Sequence, residues 1–372
     1  MLRGTRTSLV ATAVSGFLLS AFLVLNSASA AVNRNTSDAA NMHGESLPVD
    51  PIRLTNLSCT TSVICTAVGI DAQDNGAIFR TSNSGVNWEA QSVASGTPFP
   101  YSISCPTIAF CLAKGVDANI SIFPPVFVET DNGGGLWTTY PPTIDLGNAT
   151  TSGATCASPT SCYLIESSAA ILRSTDLGVT WKPLPRAGFK HFNLLSCVRA
   201  SACFTVGTGA TGVLVFGRIA PNGTSVTRVA TMPYIKGFQL LAMSCSTSTS
   251  CAVAGGEGTT VLTTADGGAK WAVRSLPESI AAVLSISCAD AKVCVIPALS
   301  KIHKGFLFAA TTRNGGATWS ISAVASEPNP DSVGYISCPS STVCFVSGSA
   351  TPESTVYIRS GFTSKWVREI IK

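Results

Sequence analysis

Fourteen cysteines carry the most reactive side chains in the sequence, and they fall into seven pairs with five residues inside each pair. The pairs are Cys59/Cys65, Cys105/Cys111, Cys156/Cys162, Cys197/Cys203, Cys245/Cys251, Cys288/Cys294 and Cys338/Cys344, usually with Ser before the first member. A redox-active pair is typically Cys-x-x-Cys, which is absent. Structural zinc favours roughly two to four residues between paired ligands, and His43, His191 and His303 form no common cluster. No metal and no cofactor is therefore expected. The remaining chemistry is a staple. Two cysteines at a strand–turn–strand junction can face each other across an antiparallel pair, where Cα atoms come within disulfide range. Local pairing is expected for all seven, each bridge closing a small loop and contributing about 2 kcal/mol in the chain-entropy model.

Positioning these pairs requires a repeated element. Successive first cysteines are 46, 51, 41, 48, 43 and 50 residues apart, the length of a four-stranded propeller blade. Each unit has one order. A short apolar strand ends at Ser-Cys, as in Leu284-Ser285-Ile286-Ser287-Cys288, and the second cysteine opens a strand ending near Gly, as in Cys251-Ala252-Val253-Ala254-Gly255. A third strand such as Thr259–Thr263 follows, then a Gly-containing turn and a Trp that opens the fourth strand. Short strands at even spacing with no helical period indicate an all-β repeat. One blade cannot bury both faces, whereas seven in a ring can. The fold class expected is an all-β, seven-bladed propeller over residues 51–372, its last blade completed by Trp366 to Ile371.

The turn before each Trp repeats a second signature. Its fullest form is Ser174-Thr175-Asp176-Leu177-Gly178-Val179-Thr180-Trp181, with relatives ending in Asp266…Trp271 and Asn314…Trp319. The acidic or amide side chain can accept backbone N–H groups within the turn, Gly supplies positive φ, and Trp is expected to pack into the next blade. This pattern resembles the Asp-box, or BNR-repeat, propellers, found in sialidases, the sortilin family and photosystem II stability/assembly factors. The order of elements is most similar to the last group, with cysteines added. Blade 4 offers Pro221-Asn222-Gly223 without a Trp, and blade 7 has Gly361 and Lys365 in the box. Such degeneracy suits a structural hairpin, so Asp176 and Asp266 are read as structural.

Disulfides and Asp-boxes should share one face of the ring, leaving the loops between second and third strands and the approaches to each first strand on the other. Variable loops on a rigid ring are where binding is built. Those loops carry Asp71 and Asp74, Asp117, Glu166, Glu257, Lys301, His303 and Glu353, and the first-strand approaches add Tyr101, His191, Phe238 and Tyr335. Rings and carboxylates around one mouth suit a sugar. A glycosidase needs only two carboxyls, about 5–5.5 Å or 6.5–9.5 Å apart, a condition many acidic loops meet. The resemblance to sialidases would imply an arginine triad and a Tyr nucleophile. The Arg-Ile-Pro motif is missing, Pro51-Ile52-Arg53 having another order, and Arg80, Arg173 and Arg359 end third strands beside the Asp-box. No catalytic residue is assigned.

Arg3 and Arg6, the apolar run Leu9–Leu25 and Ala28-Ser29-Ala30 have the order of a secretory signal peptide over residues 1–30. Residues 31–50 read as a flexible linker. Export agrees with disulfides, which persist outside the cytosol. Without the two leader arginines, 24 − 2 = 22 basic residues face 20 acidic ones, and charged residues are 12% of the chain. That balance argues against nucleic acid or an anionic membrane as partner. The expectation is a monomeric, secreted or envelope-located, non-enzymatic propeller that binds a protein or glycan. A glycoside hydrolase acting on an extracellular glycan is the alternative.

Overall fold

The computed structural model describes residues 53–371 other than 72–74, 94–98, 118–124, 143–152, 167–169, 200–201, 256–258, 305, 326–333, 351–352 and 362–364. The expected leader and linker lie outside the described residues, as do Asp74, Glu257 and the side chain of Glu353. Seven antiparallel sheets follow in chain order among the described residues, six of them simple meanders of four strands and that of blade 6 the same meander with its first strand in two pieces. Blade 1 runs from Arg53–Cys59 through Cys65–Ile70 and Gly76–Thr81 to Glu89–Ala90. Blade 7 is complete from contiguous residues, its fourth strand being Val367–Ile370.

Blade 6 departs from the expected pattern. Its first strand is not Leu284–Cys288 but two pieces, Ile280–Val283 and Ser287–Cys288, both paired with Cys294–Ser300. Pro297 sits opposite the gap. It has no N–H to donate, so the pairing shrinks to one bond, in which the Leu284 amide donates to the Pro297 carbonyl at 3.0 Å.

The apolar side chains do not gather into one core but into seven clusters, one per blade junction. Val68 and Ile78 of blade 1 meet Cys111, Ala113, Val128 and Trp137 of blade 2. Phe345, Val356 and Ile358 of blade 7 meet Leu54, Leu57 and Trp88 of blade 1 and close the ring. The Trp of a blade packs against the preceding blade, not the next as the sequence suggested. Trp181 stacks on Phe127 of blade 2 at 5.2 Å, and Trp271 meets Phe216 of blade 4 edge-on at 5.0 Å. The reason is register. The residue that opens the box pairs with the second cysteine, as in Thr81↔Cys65 and Ser174↔Cys162. Disulfide, box and Trp therefore share one face of the blade.

All seven disulfides are local, with Cα–Cα distances of 3.9–4.1 Å. Cys203 is bridged to Cys197 as expected, but its place in the strand needs correction. It does not open the second strand of blade 4, which runs Ala202–Gly209. The first strand continues past Cys197 to Arg199, and Arg199 pairs with Ala202, so the ladder extends beyond the bridge. Cys203 also lies opposite Ile219, where a box-opening Ser or Thr stands in blades 1, 2, 3, 5 and 6. Like the second cysteines of the other blades, it is buried in the apolar cluster shared with the preceding blade, here with Tyr163 and Ile165 of blade 3.

The Ser before the first cysteine has a separate role. Its hydroxyl accepts a hydrogen bond from the first cysteine amide of the following blade: Ser58 from Cys105, Ser104 from Cys156, Ser196 from Cys245, Ser244 from Cys288 and Ser287 from Cys338, at 2.9–3.0 Å. Ser337 accepts from Cys59 at 3.0 Å and carries the series across the closure. Blade 3 has Thr155 at this place.

The glycine near the end of the second strand in blades 1, 2, 4 and 5 is also explained. The first strand bulges opposite it, at Leu54/Asn56 in blade 1 and Pro100/Ser102 in blade 2, which pushes a carbonyl onto the second strand. A Cβ on Gly69, Gly115, Gly207 or Gly255 would lie 1.9–2.4 Å from that oxygen.

Candidate functional site

The Asp-box turns are held by their own side chains. In blade 3 the Asp176 carboxylate accepts from the Thr180 amide at 2.9 Å and the Thr180 hydroxyl at 2.5 Å, while Ser174 accepts from the Gly178 amide at 2.9 Å. Burial opposes ionisation of Asp176, but the hydrogen bonds from Thr180 and Ser174 outweigh it and hold the carboxyl below its ordinary value. Asp266 and Asn314 accept from Lys270 and Thr318 amides in the same way, each at 2.9 Å. The boxes lie against the disulfide hairpins: the amides of Ser84, Gly133, Gly267 and Gly315 donate to Val63, Ala109, Thr249 and Lys292 carbonyls at 2.7–3.1 Å.

The arginines near the boxes tie blades together. Arg80 donates to the Ile108 carbonyl of blade 2 at 2.7 Å. Arg359 lies inside the box of blade 7, at the Ser/Thr place, since it pairs with Cys344. Its guanidinium is buried, donates to the Thr311 hydroxyl of blade 6 at 2.9 Å and lies over the Trp366 ring at 5.3 Å.

On the opposite face the candidate residues divide. Asp71 caps its own loop, one oxygen accepting the Asn75 amide at 2.7 Å and the other its side-chain amide at 3.1 Å. Phe238 leans into the apolar cluster between blades 4 and 5. His191 is exposed on the first strand of blade 4, paired with Thr208. Tyr335 is half-buried beside Ser347, and burial raises its hydroxyl pKa. In blade 6, Lys301 and His303 are exposed, His303 meeting Phe306 edge-on at 5.6 Å above a crevice of about 180 Å³ lined by Ile280, Ile302 and Phe308.

Tyr101, Asp117 and Glu166 instead belong to the neighbouring blades 2 and 3, with one residue that sequence reasoning missed. Lys114, in the strand Cys111–Val116, is fully buried, and its ammonium sits 5.2 Å from the centroid of the Tyr101 ring. Leu112, two residues earlier, packs on Cys162 and Leu164 of blade 3, so strand alternation turns Lys114 toward blade 3 as well. Glu166, two residues beyond Leu164, turns toward blade 2 by the same alternation. It is half-buried at the place where blades 1, 2, 4, 5 and 7 have glycine. Asp117 follows the end of the Lys114 strand. Behind Tyr101, Ser102 packs so closely on Gly153 of blade 3 that a Cβ there would lie 2.2 Å from its hydroxyl oxygen.

Burial pushes the Lys114 amine down to about 7, so the seam holds a nitrogen that gains or loses a proton near neutrality, walled by an aromatic ring. Such a nitrogen can meet an anionic or hydrogen-bond-accepting group of a ligand. Its signal in the sequence is a lysine where other blades have Val68, Ile165, Val206, Ala254, Pro297 or Ser347. Among the described residues, no three His, Cys, Asp or Glu side chains converge as a metal site, and no helix is long and apolar enough to cross a membrane.

The sequence profile of a family described as photosynthesis system II assembly factor YCF48 matches residues 40–289. No curated protein sequence matches. Among solved structures, the chain is similar to YCF48 bound to D1 peptide, with 17% identity, a TM-score of 0.58, and coverage of 85% of this chain and 95% of that one. YCF48 from Cyanidioschyzon merolae gives 15% identity and 0.57 over 85% and 97%. The GH74 xyloglucanase from Xanthomonas campestris gives 11% identity and 0.58 over 86% of this chain and 54% of that one. At these identities the likeness is one of fold.

Proposed function

The chain belongs to the photosynthesis system II assembly factor YCF48 family, and from that premise we propose that it is an exported, non-enzymatic propeller that binds an extended segment of a protein partner at the seam of blades 2 and 3. Seven disulfides are the chemistry of an oxidising compartment. Together with the leader-like residues 1–30 they support export, with cleavage before Ala31. The observation that carries the binding reading is Lys114. A lysine buried completely at an otherwise apolar or small position weakens the fold, and such a residue with a strongly shifted pKa is a functional candidate with a physical reason. A related YCF48 structure holds a peptide, which supports a protein ligand over a glycan.

Tyr101, Lys114, Asp117 and Glu166 are the residues assigned to recognition. The exposed candidates Lys301, His303 and His191 are assigned to the rim. The test is titration of a library of short unstructured peptides against the oxidised chain, with variants Lys114→Met, Tyr101→Ala and Glu166→Gly compared with Lys301→Ala and His303→Ala. Loss of about tenfold or more in affinity is expected from the seam variants alone. Seam variants that bind as the parent does would remove the assignment.

A further inference from the structure

The near-neutral balance of charge conceals a segregation of basic residues on the disulfide and Asp-box face, where the turns of blades 2 and 3 carry Asp131 and Asp176. Five aliphatic side chains stand out from its turns, all in blades 1–3: Val63, Val86, Ile108, Leu136 and Val179, with 42–64% of each exposed. The arc is continuous. Ser84 is bonded to Val63 within blade 1, Arg80 reaches Ile108 of blade 2, and the Tyr140 hydroxyl of blade 2 donates to the Leu177 carbonyl of blade 3 at 2.9 Å. The corresponding turns of blades 5–7 present Lys270, Lys292, Arg313 and Lys365, all exposed. Two acidic residues in that second arc are engaged in their own turns: Asp266 accepts the Lys270 amide at 2.9 Å, and Asp290 accepts the Lys292 and Val293 amides at 2.7 and 2.8 Å.

We propose that this face docks on an anionic lipid surface, the aliphatic arc entering the headgroup boundary and the basic arc resting on anionic headgroups. The aliphatic residues stand exposed on successive turns of one face, an arrangement that suits a fluid apolar phase. Clustered bases beside exposed apolar side chains are the combination by which proteins lie on anionic membranes without spanning them. The docking leaves the loop face, and the seam of blades 2 and 3, directed away from the lipid, so the proposal stands independently of the binding site assigned above.

The test is flotation of the oxidised chain, recovered from an exporting host with its N-terminus read by mass spectrometry, on two kinds of vesicle: phosphatidylcholine alone, and phosphatidylcholine mixed with phosphatidylglycerol. Binding to the anionic vesicles, its loss in high salt and weak binding to the neutral ones are expected. Serine in place of the five aliphatics, and separately Lys270→Glu with Arg313→Glu and Lys365→Glu, should each weaken anionic binding about tenfold or more. Thermal midpoints should hold, because every altered side chain is exposed. Equal binding by parent and variants, no binding to either vesicle, or binding only to an acidic amphipathic peptide would overturn the proposal, the last in favour of a protein partner.

Discussion

At Lys114 the fold holds a primary amine away from water, and the consequence is measurable as a pH dependence. Its ordinary pKa of 10.5 falls to about 7 through desolvation, so between those values the unfolded chain binds more protons than the folded one. Stability therefore rises with pH through that window, by up to about 1.4 kcal/mol per unit, and is flat for this group below it. Denaturant titrations across roughly pH 6 to pH 10 should show the rise in the parent and its absence in Lys114→Met, which should also be the more stable protein at the acid end. The same slope in both would place the titration elsewhere. This residue was legible only as an anomaly. A lysine in a second strand stands out once the blades are aligned, yet charge in a strand is commonly solvated, and only the packing of Leu112 against blade 3 turns it inward. Asp71 has a different setting. It sits in a variable loop, as a ligand-binding acid would, but its oxygens are taken by Asn75.

Within one blade the elements explain their own consensus. The second-strand glycine is required by the first-strand bulge, so Gly255→Ala should cost about 1–3 kcal/mol through overpacking on the Gln239 carbonyl, which a Cβ would approach to 1.9 Å. An unchanged thermal midpoint would show that the bulge gives way. Replacing both members of one bridge, Cys245→Ala with Cys251→Ala, should lower stability by about 2 kcal/mol without changing the fold, read by denaturant midpoint. Strand order, local disulfides and the box turn were readable from spacing because each is a local device. The split first strand of blade 6 was also written in the sequence, at Pro297, but its effect appears only when the ladder partner is known. The start of the blade 4 strand ahead of Cys203 was hidden for a similar reason, since it depends on the pairing of Arg199 with Ala202. The direction of Trp packing was not readable, because it depends on which blade face meets which neighbour.

At the scale of the whole ring, closure uses the same contact as every other Ser-linked junction. The Ser337 hydroxyl and Cys59 amide repeat the bond made between adjacent blades, and the cluster around Phe345 and Leu54 repeats the apolar packing. Ser337→Ala should therefore cost about 1 kcal/mol, the same as Ser104→Ala, with one unfolding transition retained. A separate early transition in Ser337→Ala alone would mean that the closure is the weak junction. The serine was visible in six of seven copies as a motif, but nothing local shows that its partner lies one blade away. A rigid ring that binds without breaking bonds is tested most directly by incubating the oxidised chain with a mixed panel of short peptides and envelope glycans, recording retained ligand and released sugar together by mass spectrometry. Peptide retained without cleavage, and lost in Lys114→Met, is expected; sugar released by the parent, and abolished by changing Glu166 or Asp117, would contradict the account and make the protein a glycoside hydrolase.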